Sequence, residues 1–264
     1  MKSKNKGILV VSFGTTHKDT REKTIDAIEA SIRNEFADYR VYRAYTSNIV
    51  MRIIEKQEKI YILNVEEAIL QMLEDGIEEI IIQPTHVIEG IEYEKIVKTS
   101  LKYKDKFKKF VISSPLLSQS MDYEKASDVI IDEFKKAEII DNTKHAFILM
   151  GHGSEHSANK SYTVLQNEVN KRGYKNIFIG TVEGEPNIED IIKIMEDYSY
   201  DTVTLIPFMI VAGDHAKNDM IGDDEDSWKS LLEKEGYEVN YILKGLGEIK
   251  EIQNMFIQRI KDNI

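Results

Sequence analysis

With 264 residues, 42% of them hydrophobic and 31% charged, the chain is long enough to bury a large core as one big domain or two modest ones, and no apolar run approaches the ~20 residues that span a bilayer. Zero cysteines exclude disulfides, thiolate metal sites and cysteine-held iron–sulfur clusters, leaving only nitrogen and oxygen to ligate any metal. A formal net charge of −11 argues against nonspecific nucleic-acid binding, and an acidic substrate would need a local cationic patch.

The basic start runs directly into an apolar stretch too short for an export signal and without a small-residue cleavage site, so the expected location is the cytoplasm. That stretch, 7 to 13, reads as a strand, followed by a helix from about Asp19 to Phe36 and a strand at 40 to 45. Helical patterns near 47 to 57 and 64 to 75 lead to the strand EEIIIQP at 78 to 84, then to an acidic loop and helix at 90 to 106. A strand at 108 to 114 and a helix at 122 to 137 complete the first half.

The pattern then restarts. Residues 144 to 154 (KHAFILMGHGS) resemble 6 to 16 (KGILVVSFGTT), and 189 to 214 resemble 66 to 91 with Pro84 on Pro207 and Gly90 on Gly213. The expectation is an α/β protein of two similar doubly wound lobes with parallel sheets, 1–127 and 128–264, with the active-site cleft between them and the metal site carried by the second. The joint near 126 to 143 has no Pro-, Gly- or Ser-rich tether, and the last helix, 247 to 261, can pack on either lobe.

Three potential ligands recur at intervals of 31 and 32 residues: His152 in LMGHGSEH, Glu183 in GTVEGEP and His215 in VAGDHAKND. Each follows an apolar run, so each is expected just past a buried strand, on the edge of a parallel sheet where ligands bind. Two imidazoles and a carboxylate make a set of ligands suited to a divalent transition metal. Flanking glycines let the backbone turn sharply at His152 and leave its ring accessible. Asp214 or Asp219 can accept from the other ring nitrogen of His215, and Glu185 competes with Glu183 for the carboxylate role.

Of the other histidines, His145 reads as structural, His17 and His156 as matching loop residues, and His86 as either a substrate contact or local packing. Arg43 and Arg52 bracket a strand end and can offer charge-assisted hydrogen bonds to carboxylates. The run Asp223, Asp224, Glu225, Asp226 reads as a solvated loop or helix start. Ser12-Phe13-Gly14-Thr15 lacks the lysine of a phosphate-binding loop and no GxGxxG occurs, so no nucleotide cofactor is expected.

At LVVSFGTT (9–16), YRAYTS (42–47), EYEKIV (92–97), SPLLS (114–118), MGHG (150–153) and above all VAGDHAKNDMIGDDEDSW (211–228), the chain resembles the anaerobic sirohydrochlorin cobaltochelatases of the CbiK type, relatives of the class II chelatases and ferrochelatases. The resemblance runs nearly the whole length. It implies insertion of Co2+ into sirohydrochlorin or precorrin-2 for cobalamin synthesis, with Fe2+, Ni2+ or Zn2+ able to substitute and no nucleotide or organic cofactor. By the same resemblance His152, Glu183 and His215 take the metal positions and His152 also accepts protons; Ser12, Phe13, Arg43, His86 and Glu92 are the candidate substrate contacts. No nucleic-acid or membrane partner is implied, and a homo-oligomer is left open. The alternatives are a sirohydrochlorin ferrochelatase making siroheme, a two-lobed metal-binding or delivery protein, and a metal-dependent hydrolase using the same three ligands around a water.

Overall fold

A computed structural model describes residues 5–136 and 142–264; the basic residues 1–4 and, within the expected joint, 137–141 lie outside them. Contacts divide the chain into unit 1, Met1–Leu116 with Gly247–Ile264, and unit 2, Leu117–Leu246.

Unit 1 runs β1 (Lys6–Ser12), α1 (Lys18–Lys23), α2 (Ile25–Glu35), β2 (Arg40–Tyr45), α3 (Asn48–Glu58), α4 (Val65–Glu74), β3 (Glu79–Pro84), α5 (Ile91–Leu101) and β4 (Lys109–Ile112). Unit 2 runs α6 (Ser120–Lys136), β5 (His145–Gly151), α7 (Lys160–Lys171), β6 (Ile177–Thr181), α8 (Ile188–Met195), β7 (Thr202–Pro207), α9 (Trp228–Lys234) and β8 (Glu238–Tyr241), before α10 (Lys250–Lys261) ends the chain. Each unit holds a four-stranded, all-parallel sheet, ordered β2-β1-β3-β4 and β6-β5-β7-β8. The central strands are apolar along their length because both sheet faces are covered. In unit 1, Leu9, Val11, Ile80 and Ile82 pack with Ile69, Met72 and Ile96, while Ile8, Val10 and Ile81, which alternate with them, are buried too. Unit 2 repeats this with Ile148, Met150, Val203 and Leu205 among Ile191, Met195 and Trp228.

The duplication extends to the caps. Asn64 and Asn187 each accept from the backbone N–H three residues on, and Glu67 and Asp190 answer by accepting from the cap's own N–H, so α4 and α8 start on the same capping box. The register of the repeat differs by one residue from pairing 144–154 with 6–16: Val11 lies opposite Pro84 as Met150 lies opposite Pro207, which aligns Phe13, not Gly14, with His152.

Two further expectations change. The helix expected from Asp19 to Phe36 is broken at Thr24, whose hydroxyl donates to the Thr20 carbonyl at 2.6 Å while its backbone leaves helical geometry (φ −117°, ψ −80°). A single cut at 127/128 would separate α10 from unit 1 and split α6, which lies wholly in unit 2. α10 belongs with unit 1 because Ile252, Phe256 and Ile260 are buried and Arg259 donates to Ser114 Oγ at 2.7 Å and to the Leu116 carbonyl at 2.9 Å. No described helix is long and apolar enough to cross a membrane.

Candidate metal centre

His152, Glu183 and His215 each lie just beyond the carboxyl end of a unit 2 strand: β5, β6 and β7 in turn. One ligand atom from each can be chosen so that all lie within 4.8 Å of one another. An ion bonded at about 2.1 Å to three such atoms would need them about 3.4 Å apart in tetrahedral geometry, a spacing that side-chain adjustments of about 1 Å would reach. The histidine rings meet edge to face with centroids 4.6 Å apart. Side-chain exposures of 42%, 58% and 35% keep the three groups open to water and to an incoming ligand.

Hydrogen bonds orient both rings. His215 donates through Nδ1 to Asp219 Oδ2 at 2.7 Å, which selects Asp219 over Asp214 as its partner and leaves Nε2 with a lone pair. Asp219 reaches it from one turn along the π-helical segment Ala216–Met220. His152 donates through Nδ1 to the Gly153 carbonyl at 3.0 Å, and Glu183 Oε2 lies 3.6 Å from the same nitrogen. Gly153 is required here: its φ is +81°, and a Cβ would sit 2.7 Å from Thr181 Cβ. The Glu183 N–H donates to the His152 carbonyl at 2.8 Å, so two of the three residues are joined through the backbone. Beneath the turn the buried Tyr162 hydroxyl is held by backbone bonds from Gly153 and His152; burial pushes its pKa up to about 12, and those bonds oppose the shift. Tyr162 and Asn159, which touches the loops of His152 and Glu183, carried no sequence signal beyond lying just before or within a helix's first turn. Glu185, the rival carboxylate, lies outside the clustered group.

In unit 1 the equivalent strand ends carry different chemistry. The Ser47 N–H donates to the Phe13 carbonyl as Glu183 does to that of His152, and the alignment of Gly90 with Gly213 sets Glu92 on His215. Phe13, Ser47 and Glu92 therefore stand where unit 2 has His152, Glu183 and His215. Phe13 is 47% exposed. Ser12 is buried, its hydroxyl 2.8 Å from that of Thr85. Arg43 is engaged within its own unit, donating to both oxygens of the fully buried Glu29 at 2.6 and 2.9 Å and to Asp26. Arg52 is exposed on α3. Both ring nitrogens of His86 are buried with no hydrogen-bond partner among the described residues, and desolvation lowers its pKa from 6.5 to about 4. Burial raises the pKa of Glu92, but the Lys95 ammonium at 2.6 Å and neighbouring donors outweigh it, and the net shift is downward. His145 is structural, stacked on Phe147 and bonded to Thr204 at 2.7 Å.

The sequence model of cobalt chelatase (CbiK) matches residues 6–264. A protein from Salmonella typhimurium named sirohydrochlorin cobaltochelatase is 33% identical over 255 residues, covering 97% of this chain and 95% of its own. One from Nitratidesulfovibrio vulgaris, named sirohydrochlorin cobaltochelatase CbiKC, is 29% identical over 257 residues, covering 97% and 89%. Among solved structures, SirB from Bacillus subtilis with Fe3+ superposes with a TM-score of 0.66 at 14% identity, covering 98% of this chain and 95% of that one; at that identity the likeness speaks to the fold.

Proposed function

The chain belongs to the cobalt chelatase (CbiK) family, and on that premise we infer that it is a sirohydrochlorin cobaltochelatase, an enzyme that inserts Co2+ into the tetrapyrrole sirohydrochlorin. The observation that carries the metal-handling part is the convergence of His152, Glu183 and His215 from three successive strand ends.

Insertion exchanges two pyrrole N–H protons for one divalent ion, and the ion must shed water as the ring nitrogens take its place. In our reading His152 and His215, through Nε2, and Glu183, through a carboxylate oxygen, hold a partly hydrated Co2+ on their exposed side. Nitrogen and oxygen ligands release the ion more readily than thiolates would, which suits a metal that must leave. One imidazole nitrogen cannot hold the ion and accept a proton at once, so the steps are sequential. As the ring nitrogens capture the ion, freed His152 takes up a pyrrole proton and Glu183 offers the second acceptor. Asp219 keeps His215 in the tautomer that presents Nε2.

This ligand set is not selective, and Fe2+, Ni2+ and Zn2+ are expected to bind as well. The test is anaerobic mixing of protein, sirohydrochlorin and Co2+, followed by the tetrapyrrole's visible spectrum, with precorrin-2 and Fe2+ in parallel. Acceleration over the protein-free rate supports the reading, and an unchanged rate refutes it.

A further inference from the structure

Asn159 is not a ligand and lies just before α7, yet its side chain touches both loops that carry the first two metal-binding residues. Its Oδ1 accepts the Ser154 N–H at 3.1 Å, two residues beyond His152, and its Nδ2 donates to the Glu185 carbonyl at 2.6 Å, two residues beyond Glu183. Gly184 backs directly onto the amide, and a Cβ there would lie 2.7 Å from Asn159 Oδ1. The far end of the same loop is tied down where the Thr181 N–H donates to the Pro186 carbonyl at 2.8 Å.

We propose that Asn159 is a positioning residue for the ion, setting the Glu183 loop against the His152 loop so that carboxylate and imidazole reach one Co2+ together. The proposal rests on the reading that the three residues bind Co2+. Its physical basis is the narrow margin of the site. Glu183 is exposed and its side chain is flexible, so its carboxylate is brought to the ion by its backbone, and that backbone is held from the His152 side by one side-chain amide as well as by the Glu183–His152 main-chain bond. A drift of about 1 Å is as large as the whole adjustment the cage requires. Removing groups that orient metal ligands typically weakens binding about 10- to 100-fold.

The experiment is titration of Co2+ alone into the full chain, without oxygen, reading affinity and the visible ligand-field bands of the bound ion. Asn159→Ala is expected to weaken Co2+ about tenfold or more, to shift the bands toward those of Glu183→Ala, and to add nothing to Glu183→Ala in the double variant. Asn159→Asp keeps the side chain's shape and the Ser154 bond while losing the Glu185 bond; it should show the same altered bands even if the alanine variant folds poorly. Wild-type affinity and bands in both variants, or an equal loss from Asn159→Ala with and without Glu183, would overturn the proposal. If Glu183→Ala itself leaves Co2+ binding unchanged, the metal-site reading has failed instead, and the two failures are told apart.

Discussion

His86 should make unit 1 sensitive to mild acid. In the unfolded chain an ordinary imidazole takes a proton near pH 6.5, while burial holds the folded group neutral down to about 4. Between those values the unfolded state binds the extra proton, so stability falls as pH falls. The gap of about 2.5 units at 1.36 kcal/mol each makes the loss ~3 kcal/mol at pH 4, arriving at ~1.4 kcal/mol per pH unit below 6.5 and absent at neutral pH. His86→Leu removes the titration and also two buried nitrogens without partners. Urea unfolding followed by circular dichroism, from pH 7.5 to 4, should show variant and wild type diverging along that slope, with the variant more stable in acid. A difference that stays constant across the range would mean that the nitrogens are hydrated in solution and the reasoning is wrong.

His152→Ala and His215→Ala should each remove nearly all insertion activity while thermal melting moves little, because both side chains are substantially exposed; a large drop in melting temperature would assign the residue to the structure instead. Glu183→Gln keeps size and hydrogen bonding but loses the charge, so Co2+ titration should weaken while tetrapyrrole binding, followed by absorbance without metal, is retained; equal Co2+ titrations for variant and parent would count against Glu183. Asp219→Asn cannot accept as a carboxylate, and Co2+ affinity should drop about 10- to 100-fold with both histidines intact; unchanged affinity would remove Asp219 from the site. The equivalence of the strand ends is open to construction: Phe13→His, Ser47→Glu and Glu92→His together should raise Co2+ bound from one to two per chain, and a count of one would show that the backbones match less closely than their register.

The clustering of His152, Glu183 and His215 was legible because strand-end spacing in a parallel sheet repeats with the strand–helix unit, and three residues with potential ligand atoms sat on that period. The duplicated sheet was legible for the same reason, through Pro84 and Pro207. Its register was not: apolar runs such as ILVVS and FILMG slide by one residue without losing hydrophobicity, and only strand pairing separates the alternatives. Arg43 read as free because its partners, Asp26 and Glu29, lie on α2, and nothing in the local sequence of β2 announces them. The break at Thr24 depends on one hydroxyl turning back on Thr20, a choice that the surrounding helical pattern conceals. Asn159 is legible only once two distant loops are seen to meet at its amide.

The placement of α10 has a consequence for how the molecule comes into being. Unit 2 is inserted into unit 1, so during synthesis every residue of unit 2 emerges from the ribosome before the last part of unit 1 does. Unit 2 can thus mature first, while α2 and β3 of unit 1 wait for the helix that packs on them, α10, to emerge. A chain truncated ahead of Lys250 would accordingly present one finished half and one still sticky half, and the latter is where chaperones would be needed.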